Sequence, residues 1–425
     1  MVDIRQYSGM KIAIFTDVFL EVPGGIPSSI KAQKKSLEKL GHKVFVFAPG
    51  FNKSLTTMDN EEKERVILVP THPLIRLNGA PVSKRPELVE KVVLKKFPEF
   101  DFDIVHVHYE ASCSIAGMKL ARRFSKTLVQ TMHGREDMAV EINVPSGLKT
   151  IVASVLCFLH SRYIPHIKKC NKGSSLAPDS ARAKMWTIMV NHANYADKVI
   201  TPSQHFANRL KKMGVSRPIS VVSNGVDDYA LKELDKRVEK VGGSLVRKVE
   251  QGDILRLFWN SRLSNEKRIM PFLEALKMMR EPFFCTFVGD GNALKKAERF
   301  VEHNQLTKKV KFYGRVPHEE VLDKMLKQHL SVTVSYGFDT QGLTLLEAEA
   351  TGLPVFFCDP DMKEVVPEGG FVMAAGPDSE QMARALDEVM RRPEIVERMS
   401  KVMLEHRKEV MQSTQIERLI KVYLG

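Results

Sequence analysis

Two carboxylates and a glycine, Asp339, Gly342 and Glu347, lie within one short stretch, Tyr336 to Pro354 (YGFDTQGLTLLEAEATGLP). Asp339 sits in a turn-like segment, Gly342 precedes a run that reads as a helix from Leu343, and Glu347 follows eight positions after Asp339. Gly352 and Pro354 stop that helix and start an apolar strand, Pro354 to Cys358. A glycine at a helix start lets backbone N–H groups approach a ligand closely, and with the helix dipole those groups favour an anion such as phosphate. Carboxylates cannot bind the same anion. They accept hydrogen bonds from neutral donors, and the hydroxyls of ribose or hexose are the obvious ones. Gly342 and Leu343 therefore read as an anion cradle flanked by two hydroxyl readers, which suits a nucleotide sugar. A plain amphipathic helix with solvated acids is the other reading of the same residues.

Other residues could serve the same chemistry. Arg262 and Lys267, five apart, bracket a polar turn (Asn260 to Arg268). An arginine fork and a lysine point charge together can clamp a diphosphate. Gly289 and Gly291 form a glycine turn around Asp290 after the apolar run Phe283 to Val288. Gly24 and Gly25, between Pro23 and a helix running to Leu40, form another, but the spacing is not the G-x-G-x-x-G of a dinucleotide site. His133 closes the apolar run TLVQTM and precedes Gly134, well placed to touch a ligand. His106 and His108 read as packed, hydrogen-bonded histidines, since no third and fourth ligand stands at a spacing that would complete a metal site.

These residues need strand ends and helix starts to hold them. Apolar runs at Lys11–Phe15, Val44–Ala48, Val66–Val69, Ile104–Val107, Leu128–Met132, Asp197–Pro202 and Ile219–Val222 alternate with helical stretches, Ser203 being the expected N-cap of one. A second set follows at Leu255–Trp259, Phe283–Val288, Lys311–Tyr313, Val332–Ser335 and Pro354–Cys358, and the pattern is helical from Asp378 to the end. Such alternation predicts two parallel, doubly wound α/β sheets, with ligands at the carboxyl ends of the strands. The charged segment Asp228 to Asp253, interrupted by Gly242-Gly243-Ser244, reads as an interdomain connector.

The chain has 425 residues, 43% apolar and 27% charged, enough for two or three ordinary folded domains. The formal net charge of +13 favours an anionic partner: nucleic acid, membrane surface or phosphorylated substrate. Five scattered cysteines without CxxC spacing argue for a reducing, cytoplasmic setting and against a zinc site or disulfide framework. Met1 to Gly9, polar and ahead of the first strand, reads as a leader or remnant, and no apolar run reaches the roughly 18–20 residues of a membrane span. Ile142 to Pro178 contains no Asp or Glu but carries Lys149, Arg162, Lys168, Lys169 and Lys172 around the apolar run Ile151 to Leu159. Within 146–170 this predicts either a helix lying in the interface of an anionic bilayer or a core helix between domains with a snorkelling basic rim.

Taken in order, the chain resembles the retaining, nucleotide-sugar-dependent glycosyltransferases of family 4, which have the GT-B fold. The resemblance is carried by Gly24-Gly25-Ile26, Thr131-Met132-His133, Thr201-Pro202-Ser203, Ser223-Asn224-Gly225-Val226-Asp227, Arg262 with Lys267, Val288-Gly289-Asp290-Gly291, Tyr313-Gly314 and the carboxylate pair Asp339 and Glu347. It implies two Rossmann-like doubly wound domains facing a central cleft: an acceptor domain over 1–222, a donor domain over 223–405, and a last helix, 406–425, crossing back. It implies that Arg262 and Lys267 hold the donor diphosphate, that Glu347 binds the ribose, that Asp339 faces the hexose, that His133 contacts the sugar near its 6-hydroxyl, and that Gly25 admits phosphate and acceptor.

Three positions depart from the family pattern. Asp339 stands where Glu is usual, Arg268 stands where the next helix usually begins with Gly and adds a charge near the phosphates, and Asp359-Pro360-Asp361-Met362 replaces a glycine pair. Asp359-x-Asp361 and Asp101-x-Asp103 read as chance matches to a metal motif, because Arg and Lys already supply the positive charge; no metal or other cofactor is expected. Asp339-Thr340-Gln341-Gly342-Leu343 is similar to the variant common among diacylglycerol glucosyltransferases. The implied activity is transfer of a hexose from a nucleoside diphosphate sugar, with UDP-glucose as the expected donor, to a lipid such as 1,2-diacylglycerol at the cytoplasmic membrane face, with no nucleic acid partner. A soluble or polyisoprenoid-linked acceptor, and a nucleotide-sugar-binding protein without catalysis, are the alternatives. A nicotinamide dehydrogenase lacks its fingerprint.

Overall fold

The computed structural model describes residues 9–21, 24–51, 60–77, 80–250 and 252–425, so the expected leader before Gly9 and the turn proline Pro23 lie outside the described residues. The chain divides into two compact units, Met1–Ser223 with Gln415–Gly425, and Asn224–Thr414.

The first unit is built on a seven-stranded parallel sheet. Its strands are β1 (Lys11–Phe15), β2 (Lys43–Pro49), β3 (Val66–Val69), β6 (Ile104–Val107), β7 (Thr127–Thr131), β8 (Lys198–Thr201) and β9 (Ile219–Val221), in the order β3-β2-β1-β6-β7-β8-β9. A two-stranded antiparallel hairpin, β4 (Thr71–Leu77) and β5 (Ala80–Ser83), is inserted before β6. The sequence gives no sign of this hairpin, because Leu74 and Ile75 point to solvent and leave no alternating pattern. The central strands are buried on both faces, as their unbroken apolar runs require. Phe15, Phe47, Val105, Val107 and Trp186 line one core, and Ile12, Ile14, Val44 and Val129 line the other. That second core is closed by Ile416, Leu419, Ile420 and Tyr423 of the final helix, Gln412–Leu424.

The segment that joins the first sheet starts later than residue 406. Arg407 is clasped by Asp235 at 2.9 Å, and Val226 N donates to Val410 O at 2.8 Å, so this stretch is tied within the second unit.

The second unit carries a six-stranded parallel sheet of β10 (Leu255–Asn260), β11 (Phe283–Val288), β12 (Val310–Phe312), β13 (Leu330–Thr333), β14 (Val355–Phe357) and β15 (Phe371–Met373). The order β12-β11-β10-β13-β14-β15 reverses between β10 and β13, the position where doubly wound sheets bind ligands. Strand β15 is short and only half-buried, too weak to register in the sequence. The supposed connector is largely a helix, Asp228–Lys240. Asp227 caps it, its carboxylate accepting from Tyr229 N at 2.9 Å, and Leu231, Leu234 and Val238 are buried beneath its charges. Ser203 sits at the N-cap position of helix Gln204–Met213, but its hydroxyl makes no capping bond.

Candidate active site

In the second unit the chemistry gathers where β10 and β13 end. The chain leaves β10 at Asn260, turns through Arg262 and Ser264, and makes a short 3-10 turn, Asn265–Lys267, before helix Ile269–Met278. Glycines shape this loop by close approach. A Cβ on Gly289 would lie 2.1 Å from Ser261 O, and one on Gly291 would lie 2.3 Å from Leu263 O. Both glycines are thus demanded by the backbone carrying Arg262, which accounts for them without a ligand.

Both basic residues of the turn are paired with acids. Lys267 Nζ lies 2.5 Å from Asp339 Oδ1, and the Ser335 hydroxyl donates to Asp339 Oδ2. Burial would raise the Asp339 pKa, but Lys267 beside it, with the Ser335 hydroxyl and the Arg262 charge, more than offsets this and holds the carboxyl below its ordinary value. Arg262 Nη2 lies 2.9 Å from Glu266 Oε1, which also accepts from the Ser264 hydroxyl at 2.6 Å. Arg262 is half exposed while Glu266 is buried, so the guanidinium faces outward over an anchored acid.

Glu347 lies on helix Leu343–Ala350, which Gly342 introduces with φ 82°, a left-handed value that favours glycine. A Cβ there would meet only ordinary contacts, so conformation rather than space selects the residue. Leu343 opens the helix and is half-buried. No side chain caps this N-terminus and no acid stands in its first turn. Glu347 Oε2 accepts from Asn260 Nδ2 at 3.1 Å, and Oε1 lies 2.8 Å from His318 Nε2. Gln341 Oε1 accepts from Asn224 N and Nδ2 at 3.0 and 2.8 Å, fastening the loop before the helix.

Two departures from the family pattern resolve into packing. Arg268 has φ 59°, which explains the glycine usual at this position. Its guanidinium donates to Pro377 O at 2.7 Å and Val334 O at 3.3 Å, which anchors the side chain on two neutral carbonyls and leaves its charge in place. Asp359 accepts from Gly337 N at 2.6 Å and from Asp361 N at 3.1 Å, the geometry of a turn cap. Among the described residues, no cluster of three or more His, Cys, Asp or Glu side chains is arranged to hold a metal ion.

In the first unit, Gly25 is the first residue of helix Gly25–Lys39, whose N-terminus has neither a side-chain cap nor an acid in its first turn. His133 lies two residues past the end of β7, and its Nε2 lies 2.8 Å from His108 Nδ1. His106 bridges Tyr423 Oη at 2.8 Å and Thr131 Oγ1 at 2.6 Å, a buried structural tie to the final helix. Burial depresses the pKa of His133 to about 4, so it stands as a neutral imidazole near neutral pH. Beyond Gly134, Glu136 accepts from the Tyr109 hydroxyl at 3.2 Å, and burial lifts its carboxyl to about 7. Asp137 is held between Arg135 and Arg182, each at 2.8 Å.

On helix Lys149–Ser161, Ile151, Val155, Leu156, Phe158 and Leu159 are exposed and only Ala153 and His160 are buried, so within its own unit the helix is not a core helix. Arg162, Lys168, Lys169 and Lys172 follow it as exposed cations, whereas Lys149 is held by Glu141 at 2.6 Å. No described helix is long and apolar enough to cross a membrane. Sequence reasoning passed over Asn260, Glu266, His318 and Ser335; Asn260 and His318 each stand beside a recognised turn, and only the fold brings them to Glu347.

Residues 23–229 match the family model described as Glycosyltransferase Family 4, and residues 249–403 match that of Glycosyl transferases group 1. The alpha-monoglucosyldiacylglycerol synthase of Acholeplasma laidlawii is 22% identical over 407 residues, covering 92% of this chain and 91% of its own. The synthase of the same name from Streptococcus pneumoniae is 25% identical over 355 residues, 81% of this chain and 70% of its own. Among solved structures, sucrose-phosphate synthase from Thermosynechococcus elongatus aligns with a TM-score of 0.72 at 17% identity, covering 98% of both chains. Anabaena Alr3699/HepE in complex with UDP aligns at 0.66 and 17% identity, covering 98% of this chain and 99% of its own.

Proposed function

The chain belongs to the GT-B glycosyltransferases and resembles their diacylglycerol glucosyltransferase branch, and from that premise we propose that it moves a hexose from a nucleoside diphosphate sugar, UDP-glucose first, to a 1,2-diacylglycerol-type lipid with retention of anomeric configuration. The observation that carries the donor half is the set Arg262, Lys267, Asp339 and Glu347 at the ends of β10 and β13. As the sugar–phosphate bond breaks, charge develops on the departing diphosphate. Arg262 and Lys267 stabilise it by exchanging an acid for the phosphates, and the N–H groups at the start of helix Leu343–Ala350 add to this. Such donors each lower a barrier by about 3–4 kcal/mol. Glu347 accepts from the ribose and Asp339 from the hexose. No side chain stands out as an enzymatic nucleophile, so the reading is same-face attack, the departing phosphate taking the acceptor proton.

The lipid half rests on helix Lys149–Ser161. Its exposed apolar face, with Arg162, Lys168, Lys169 and Lys172 after it, fits the interface of an anionic leaflet, which supports a peripheral position on the cytoplasmic membrane face. In the first unit, His133 offers a sugar hydroxyl a neutral imidazole, and Gly25 opens an uncapped helix start. A panel of sugar nucleotides against lipid and soluble acceptors, read by mass spectrometry, tests the whole reading. A hexosylated diacylglycerol supports it; product only on soluble or polyisoprenoid-linked acceptors removes the lipid assignment, and no transfer or donor hydrolysis removes the enzyme.

A further inference from the structure

Glu347 is assigned above to the ribose, and the next inference rests on that assignment. A carboxylate offers about four lone-pair sites on its two oxygens. In this structure one donor reaches each oxygen: Asn260 Nδ2 on Oε2 at 3.1 Å and His318 Nε2 on Oε1 at 2.8 Å. These two donors come from separate parts of the sheet. Asn260 is the last residue of β10, and His318 is the first residue of the helix, His318–Met325, that follows β12. Two sites remain, the number a vicinal diol with two O–H groups requires. The donors on the protein side therefore match the ligand's in number.

We propose that His318, with Asn260, is a positioning residue for the donor nucleotide: it fixes the Glu347 carboxylate so that its remaining lone pairs meet the ribose diol. The imidazole is half exposed and Glu347 is largely buried, so the proton on His318 exchanges with solvent while the acid stays in place. The charged groups around the imidazole are Glu347 from helix Leu343–Ala350, Asp227 at the cap of helix Asp228–Lys240, and Glu319 on its own helix, all anionic. The hydrogen bond to Glu347, the largest influence, and these charges raise the imidazole above its ordinary 6.5. As an imidazolium, His318 donates from Nε2 at all times. As a neutral ring its one proton is shared between two nitrogens, and the clamp is absent part of the time. An idle surface ion pair, the plain alternative, would leave donor affinity unchanged on removal.

The test is the steady-state kinetics of the sugar nucleotide for the full chain and for His318→Ala, His318→Gln and Glu347→Gln, from about pH 6 to 9. His318→Ala is expected to raise the donor KM roughly ten-fold with kcat within about two-fold, as for loss of uniform binding. His318→Gln, which keeps an N–H donor, is expected to recover most of that loss. The wild-type donor KM should climb as pH rises through the raised pKa of His318, and that rise should vanish in His318→Gln. A thermal melt of each variant identifies one that has failed to fold, in which case His318→Gln alone decides through its pH profile. If Glu347→Gln weakens the donor but His318→Ala does not, or the pH rise persists in His318→Gln, the inference is overturned and the ribose assignment stands. If Glu347→Gln leaves donor KM unchanged, the ribose assignment itself is wrong.

Discussion

Arg262 and Lys267 have the same proposed task but sit in different surroundings, so their removal should cost stability unequally. Arg262 is half exposed, but its partner Glu266 is buried. Arg262→Ala should cut turnover by roughly 10²–10³ and, by leaving Glu266 with the Ser264 hydroxyl alone, should lower stability too, though less than loss of the more buried Lys267. Lys267 faces a buried Asp339, and Lys267→Ala strands that carboxylate. It should lose activity to a similar degree and also lose stability, by about 3–5 kcal/mol if the buried anion stays charged. Denaturant unfolding beside steady-state turnover distinguishes the two. At this scale the sequence disclosed the cations and carboxylates because each stands at a glycine turn or helix start. It hid Asn260, Glu266 and His318, whose roles come from partners brought close by strand order or by a turn's geometry. Nor did it show that the Arg268 guanidinium is anchored on the carbonyls of Pro377 and Val334.

Among the elements, helix Lys149–Ser161 departs furthest from ordinary packing. Its apolar residues face outward, and the helix is held mainly against helix Ser180–Tyr195, with Ala153 in a small core beside Val140 and Met185. His160 adds polar ties, its ring nitrogens lying 2.7 Å from His166 and 3.0 Å from His192. Ile151→Ser with Phe158→Ser should weaken binding to anionic vesicles by roughly ten-fold or more, given about 1.5–3 kcal/mol per large apolar side chain removed from water. Co-sedimentation measures this, and hydrolysis of the donor in vesicle-free solution should be unaffected. The neighbouring helix Glu136–Asn143 is pinned by Asp137 between two guanidinium groups. Asp137→Asn should destabilise the chain by about 3–5 kcal/mol in a urea titration, because the buried Arg135 and the partly buried Arg182 lose their anion. The sequence revealed the apolar run and basic flank of the first helix but not which side faced out, since a nine-residue run broken only by Ser154 has no polar stripe.

At the scale of the whole molecule, acid should unfold the protein early. Among the described residues eight histidines have depressed pKa values through burial, His106 and His192 to about 3 and His133 to about 4. Their folded values lie below the unfolded value near 6.5, so the stability they contribute is complete above pH 6.5 and falls as pH drops toward 4. His106, His133 and His192, with folded values near 3 and 4, each lose about 1.4 kcal/mol per pH unit over that window. Four carboxyls, Asp17, Glu110, Glu136 and Glu349, are raised by desolvation and act in the opposite sense, but they are half as many. Circular dichroism melts between pH 7 and 5 should show a falling midpoint.

The two parallel sheets were legible because their buried strands are unbroken apolar runs between glycine turns and helix caps. The β4–β5 hairpin and β15 were not, being exposed or half-buried. Helix Asp228–Lys240 was mistaken for a connector because its charges outnumber the three apolar residues it buries.

The central claim is that the cationic turn after β10 and the helix start at Gly342 grip one diphosphate. A crystal of the protein soaked with UDP tests it most directly. The account expects the phosphates within hydrogen-bonding distance of Arg262, Lys267 and the Leu343 N–H, with the ribose hydroxyls on Glu347. A nucleotide bound elsewhere, with Lys267 still closed on Asp339 and Arg262 on Glu266, would contradict it.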